Sequence, residues 1–269
     1  MEIASRGNVW EVSSVYVGGG DPKRSMELLW GVTEKPRRGP KPRFSVEDIV
    51  AKAIELADAD GIEAVTMRGV ASALGLTAMS LYGYVPGKSE LVDLMVDRVH
   101  AELGPPEPSG PGWRAEVEAL ARQAWELHLR HPWLLQVSMA RPLLGPNVIA
   151  KYDTDLRAVS NLKLTPVEMD QVVTLLANYI HSAARAAVEV RRVGQDTGKD
   201  NPEWWTEYEP LLAKVLDAER FPMAGEVGNA VGEEYYGPNA PELAFEFGLE
   251  VLLDGIAVLV DRAARRGEG

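Results

Sequence analysis

Residues 45–88 combine apolar positions at helical spacing with closely spaced helix start and stop signals, which leaves room only for short helices joined by tight turns. Ser45 opens a capping-box pattern before the first helix, and Gly61 ends that helix. Thr66 and Thr77 are positioned as N-caps of a second and a third helix, with a glycine turn between them. This is the layout of a helix-turn-helix domain.

The rest of the chain also shows helical spacing, and no useful length alternates with the period of two that a half-buried strand requires. Thr165-Pro166 with Glu168 is a further capping pattern, and three more prolines mark helix starts. Helices are predicted at 22–30, 88–103, 113–131, 133–142, 146–161, 165–193, 201–219 and 241–266. We therefore predict an all-α fold.

Three parts follow from the composition along the chain. Residues 1–36 are expected to form a partly disordered N-terminal extension, in which Gly18–Gly20 makes a flexible joint. Residues 37–104 hold a basic arm and the helix-turn-helix. A proline- and glycine-rich stretch at 105–112 separates them from a larger helical domain at 113–266.

The composition is that of a globular protein, with 269 residues, 46% of them hydrophobic and 25% charged. The chain has no cysteine, no apolar run long enough to span a bilayer and no signal-peptide pattern at its start. These absences exclude a disulfide scaffold and a cysteine nucleophile, and we expect a cytoplasmic protein.

The charge is distributed unevenly. The net charge is −12, yet residues 35–45 hold five basic residues and no acid. Three prolines keep this stretch extended, as in arms that enter a narrow minor groove. Its candidate DNA contacts are Arg37, Arg38, Lys41 and Arg43. The alternative is a solvated linker whose charge only keeps it open.

The third short helix has the character of a recognition helix, because small or slender side chains begin it and apolar side chains lie behind them. The slender residues are Thr77, Ala78, Met79 and Ser80, and the buried side is Leu81 and Val85. Tyr82, Tyr84 and Lys88 are positioned to reach phosphates. An ordinary three-helix core with surface hydroxyls remains the alternative.

The segment SVEDIVAKAIELADADGIEAVTMRGVASALGLTAMSLYGYVPGKSELVDLMVD resembles the DNA-binding domain of the TetR family of bacterial regulators. The later segment RHPWLL, with the helices around it, is similar to the tetracycline-repressor-like C-terminal domain. The resemblance implies that Arg68 contacts a base and that Thr66 contacts a phosphate. It also implies base contacts from Thr77, Ala78, Met79 and Tyr82, and phosphate contacts from Tyr84 and Lys88. Tyr84 stands where the family commonly has His.

A helix-turn-helix of this size reads about half an operator, so we expect a homodimer on palindromic double-stranded DNA. The helices near 165–193 and 241–266 are the candidates for its interface. Two apolar stripes are spaced for this role, Val172, Leu176, Tyr179, Ala183 and Ala187, and Phe245, Leu249, Leu252, Leu253, Ile256 and Val260. Either helix is alternatively part of the core of one chain.

An effector pocket would have to come from the remaining helices, and an apolar wall with a few polar anchors suits a drug-sized molecule. The candidate residues are Trp125, His128, Trp133, Met139, Tyr152, Asn178, His181, Trp204 and Trp205. Such Trp and Met residues are alternatively core, and Asn178 and His181 alternatively meet across the dimer interface.

Nothing in the sequence indicates an enzyme. It contains no P-loop, dinucleotide fingerprint or G-x-S-x-G motif, and the pair His128 and His131 lacks a third metal ligand nearby. We expect no cofactor and no metal. The sequence therefore predicts a regulator, most simply a repressor, released from its operator by a small molecule. A ligand-independent DNA-binding protein is the first alternative, and an all-helical enzyme or interaction module is a remote one.

Overall fold

The computed structural model describes residues 15–32 and 43–266, and these residues confirm the all-α prediction. They form α1 (Pro22–Leu29), α2 (Val46–Asp60), α3 (Met67–Ala73), α4 (Ala78–Tyr82), α5 (Lys88–His100), α6 (Trp113–Arg130), α7 (Pro146–Val159), α8 (Pro166–Thr197), α9 (Asn201–Val215), α10 (Pro222–Tyr235) and α11 (Pro241–Arg266). Two 3₁₀ turns, Ile62–Ala64 and Pro132–Gln136, complete the set. One isolated bridge between Tyr16 and Ser138 is the only β pairing in the described ranges.

The chain divides into two compact units. The first comprises Met1–Pro106 with Glu126–Arg157, and the second comprises Glu107–Trp125 with Ala158–Gly269. This division differs from the predicted one, because 126–157 belongs with the first unit instead of lying wholly in a domain at 113–266.

The first unit is built around α2, α3 and α5. Its core contains Ile49 from α2, Val70 from α3, Leu81 from α4 and Leu91 from α5, all with 0% of their surface exposed. Ile49, Val70 and Leu81 stand at the positions that helical spacing predicts, so α2, α3 and α4 each form by burying one apolar side. In contrast, α5 is buried all round from Glu90 to Asp97.

The prediction of a flexible joint at Gly18–Gly20 is wrong. The Val17 side chain is 1% exposed, and the Gly18 N–H donates to the Asp93 carboxylate over 2.8 Å. Gly18 has a φ of +66°, and a Cβ on Gly20 would overlap the Glu90 carboxylate. The glycines are therefore needed for a tight turn and a close backbone approach.

The predicted helix at 133–142 is also wrong. Only the turn Pro132–Gln136 is helical, and Ser138 then pairs with the extension, its N–H donating to the Val15 carbonyl over 2.9 Å. Pro142 disfavours helical backbone at the residue before it and cannot donate an N–H. The helix predicted at 201–219 is α9, which ends earlier, at Val215. Helix α10 was not predicted from the sequence.

In the second unit α8 and α11 pack against each other, joined by the first part of α6. Trp125 stacks on Phe245 with ring centroids 4.1 Å apart, and the Tyr179 hydroxyl donates to the Phe245 carbonyl over 2.8 Å. Most of the two stripes assigned to a dimer interface is therefore buried within one chain. Their buried members are Val172, Leu176, Ala187, Phe245, Leu249, Leu253 and Ile256.

Candidate nucleic-acid interface

Two hydroxyl caps fix the helix-turn-helix. The Thr66 Oγ1 accepts the Gly69 N–H over 3.0 Å at the start of α3, and the Thr77 Oγ1 accepts the Ser80 N–H over 3.1 Å at the start of α4. Gly75, with a φ of +65°, makes the turn between the two helices. Both caps are exposed, so each hydroxyl can still donate to an outside acceptor.

The outer side of α4 is free of other parts of the chain that the structure describes. Met79 is 81% exposed and Tyr82 is 48% exposed, whereas Leu81 and Val85 are fully buried beneath them. Ser80 is exposed and Ala78 is partly exposed. Apart from Tyr82, the side chains on this surface are short or flexible, so the helix backbone can approach a groove closely.

Cations and phenols surround this surface. Arg68 is exposed in the first turn of α3. The Lys88 Nζ lies 3.4 Å from the Ile62 carbonyl, a contact long enough to give way to a stronger acceptor. Tyr84 is partly buried against the core, which leaves it less free than Tyr82.

The structure describes the basic arm from Arg43 onward. Arg37, Arg38 and Lys41 lie outside the described residues. Arg43 is exposed, and its guanidinium carbon lies 5.3 Å from the centre of the Phe44 ring.

Three buried carboxylates on α5 were not singled out in the sequence. Glu90, Asp93 and Asp97 are 7%, 1% and 5% exposed. Asp97 accepts the N–H groups of Asn147 and Val148 at the start of α7, over 3.0 and 3.1 Å. Burial raises the pKa of Asp93, although its two hydrogen bonds oppose that change. The sequence does carry a signal for these carboxylates, because the three acids are spaced three and four residues apart with only apolar residues between them.

His131 joins α2 to the end of α5. Its Nδ1 lies 2.7 Å from the Asp58 carboxylate and its Nε2 lies 3.3 Å from the Glu102 carboxylate. The Trp133 indole donates to Asp58 over 2.8 Å, and Trp133 is 1% exposed. Trp133 therefore lies in the core of the first unit, which is the alternative that the sequence left open for it.

The other effector candidates fall in both units. His128, Met139 and Tyr152 belong to the first, and Met139 and Tyr152 are 42% and 41% exposed. Trp125, Asn178, His181, Trp204 and Trp205 belong to the second. Asn178 is exposed, whereas partial burial, followed by the charge of Arg185, lowers the pKa of His181.

An aromatic group stands on α9. Trp204 stacks on Tyr208 with centroids 4.2 Å apart and lies 6.3 Å from the Trp205 ring. The Trp205 Nε1 is buried against Gly232 of α10 and has no hydrogen-bond partner in the described part of the chain. The Trp205 indole therefore packs α9 on α10.

Two family models match the chain. One is described as bacterial regulatory proteins, tetR family, and matches residues 49–95. The other is described as the tetracyclin repressor-like C-terminal domain, and it matches residues 105–260, more than half of the chain. The chain belongs to the TetR family. It is therefore a DNA-binding transcriptional regulator with a helix-turn-helix.

Curated relatives and solved structures agree with this membership. The HTH-type transcriptional repressor DrrR1 of Streptomyces coeruleorubidus is 42% identical over 93% of this chain and 90% of its own length. The class E tetracycline repressor of Escherichia coli is 23% identical over 81% and 93%. Apo ActR of Streptomyces coelicolor superposes with a TM-score of 0.68 at 25% identity, covering 82% of this chain and 99% of ActR.

The described ranges lack both a membrane-spanning segment and a metal-ligand cluster. They contain no helix that is long and apolar enough to cross a membrane. Nor do they bring together three acidic or histidine side chains in a geometry that suits a metal ion.

Proposed function

We propose that this protein is a ligand-responsive repressor that binds a palindromic operator as a homodimer and leaves it when a small molecule binds. The observation that carries the proposal is the outer surface of α4, where Met79 and Tyr82 are exposed while Leu81 and Val85 behind them are fully buried. Such a surface suits a major groove, where base edges can be distinguished. The 42% identity to a repressor over nearly the whole chain supports the same reading.

In this proposal α4 enters the major groove with Thr77, Ala78, Met79, Ser80 and Tyr82 toward the bases. Arg68 pairs with a guanine, and the Ala78 methyl packs on a thymine methyl. Thr66, Tyr84 and Lys88 hold the phosphate backbone, and Arg37, Arg38, Lys41 and Arg43 reach the adjacent minor groove.

The homodimer forms through α8 and α11, on faces that a single chain leaves open. Leu243, Phe247 and Val251 of α11 are 53%, 72% and 53% exposed and stand four residues apart. Leu175 of α8 is 48% exposed. Apolar side chains on one helix face are typical of a surface that a partner covers.

The effector acts through a difference in affinity for two conformations. ActR has been solved in complex with actinorhodin, and we extend small-molecule binding from that protein to this one. The candidate anchors are His128, Met139 and Tyr152 in the first unit and Trp125, Asn178, His181, Trp204 and Trp205 in the second. Because α5 carries Lys88 at one end and fastens α7 through Asp97, a shift of α5 would misplace the phosphate contacts.

Two substitutions separate the proposed roles on a selected operator. Arg68→Ala should relax discrimination at one base pair by about 1–3 kcal/mol, because a bidentate contact is lost. Lys88→Ala should weaken all sequences alike and flatten the salt dependence. Arg98→Ala, which removes an exposed charge elsewhere on α5, is the matched control and should do neither. Identical losses for Arg68→Ala and Lys88→Ala across all sequences would contradict the assignment.

A further inference from the structure

The part of the N-terminal extension that the structure describes contacts α5 in a fixed register. The Asp21 N–H donates to the Glu90 carboxylate over 3.0 Å, and the Ser25 hydroxyl donates to Asp93 over 3.0 Å. Ser25 follows Asp21 along the chain, and its partner Asp93 likewise follows Glu90 along α5. The two helices are therefore parallel, and their N-termini lie at the same end of the first unit.

That end carries Lys88, the first residue of α5. Gly19 and Gly20 approach Ser89 and Glu90 so closely that a side chain on either glycine would collide with its neighbours. The turn that leads into α1 is thus packed on the residues directly after Lys88. At its other end, the Trp30 indole donates to the Leu144 carbonyl over 2.9 Å, so α1 is held at both ends.

The first turn of α1 carries two exposed cations, Lys23 and Arg24. The Lys23 side chain is 85% exposed, and its Nζ is 3.8 Å from Glu27, a loose pair of little energetic weight. The carboxylate of Asp21 accepts the Arg24 backbone N–H over 2.8 Å as the helix cap. Both cationic heads are therefore free to meet an anion beyond the protein surface.

We propose that α1 is a second phosphate-contacting element, in which Lys23 and Arg24 bind the operator backbone beside Lys88. This inference rests on the proposed function. Residues 46–104, which include the recognition helix, hold ten acids and only four bases, so their phosphate affinity has to be supplemented from outside that segment, by the basic arm at 35–45 and by α1. Docking by Glu90 and Asp93 holds the two cations in place before DNA arrives, which lowers the entropy lost on binding.

The test is the salt dependence of operator binding by the full chain carrying Lys23→Ala and Arg24→Ala together. Each lost phosphate contact lowers the slope of log K against log salt by about 0.9, and a dimer loses two contacts per substituted residue. We expect a shallower slope, weaker binding to every sequence and an unchanged base preference. Both residues are exposed, so the fold should tolerate the change.

The matched control is the pair Arg192→Ala and Lys214→Ala, which removes two exposed charges from the second unit. Its slope should stay close to that of the unsubstituted protein. A double variant at Lys23 and Arg24 that behaves like this control would overturn the inference. If the unsubstituted protein enriches no operator at all, the proposed function fails instead, so the two failures are distinguishable.

Discussion

The helices α4 and α9 differ in how much of their apolar surface is buried within one chain. Beneath α4, Leu81 and Val85 are fully buried within one chain, and what remains outside is short or polar apart from Met79 and Tyr82. In contrast, α9 has no buried residue, and Leu211 and Val215 are 57% and 77% exposed. Within the described residues, α4 therefore rests on a closed core, whereas α9 leaves apolar side chains exposed, as is typical of a surface that a partner covers.

The largest expected effect is on the open surface of the second unit. Phe247→Glu should convert the homodimer into monomers at micromolar concentration, because a charge would have to be buried in the interface. Sedimentation measures the mass. Leu144→Glu, which changes an exposed leucine of the first unit, should leave the dimer intact. A dimer that survives Phe247→Glu would move the interface away from this face of α11.

The closed core of the first unit should be sensitive to cavities. Leu81→Ala removes a side chain with 0% exposure and should lower the free energy of unfolding by about 2–5 kcal/mol. Chemical denaturation measures the loss. Met79→Ala, two residues earlier and 81% exposed, should change stability by less than about 0.5 kcal/mol. Similar losses for both would mean that α4 does not present the side chains assigned here.

The contacts of Gly18 and Ser25 with α5 should contribute less to the free energy of unfolding than the core does. Asp93→Ala leaves the Gly18 N–H and the Ser25 hydroxyl without their acceptor and should cost about 1–3 kcal/mol of unfolding free energy. Asp93→Asn is the control, since its carbonyl oxygen can still accept the Gly18 N–H. If Asp93→Ala is as stable as the unsubstituted protein, α1 is not held to α5 in the way described.

On α9, Leu211→Ala should change the stability of the monomer by less than about 0.5 kcal/mol, because the side chain is 57% exposed. Denaturation at two protein concentrations shows whether the effect of Leu211→Ala depends on association. A cost above about 1 kcal/mol that grows with concentration would show that a second copy covers α9.

The smallest effect is on the cap of α2. The Ser45 backbone N–H and hydroxyl lower the pKa of Asp48 below its usual 3.8. This stabilisation is complete above that value and is lost as the pH falls through the lowered pKa. Asp48→Asn should therefore flatten the acid side of the stability profile. Ser45→Ala, which removes the hydroxyl donor of the capping box, should flatten it in part, and an unchanged acid side in both variants would exclude the box as the cause.

Sequence reasoning was strongest where local chemistry decides the structure. The capping patterns at Ser45, Thr66, Thr77 and Thr165 predicted four helix starts, and the structure confirms them. It failed where distant contacts decide. The glycines at 18–20 look flexible in isolation and are packed because α5 supplies Glu90 and Asp93, and α10 contains three glycines that mask its helical pattern.

The candidate site shows the same limit. Which residues of α4 face outward follows from helical spacing, so that surface was predictable. Trp133 and the two long apolar stripes were not, because periodicity identifies a buried face without identifying what buries it. The role proposed for Lys23 and Arg24 follows from the register of α1 on α5, which the sequence alone does not reveal.

We expect the surface of α3 and α4 to read a defined DNA sequence. The most direct test is selection of bound duplexes from a random pool by the purified full chain at fixed salt. We expect enrichment of a palindrome whose half-sites lie about one helical turn apart. A pool that remains random after repeated rounds, with the protein folded and dimeric, would contradict it.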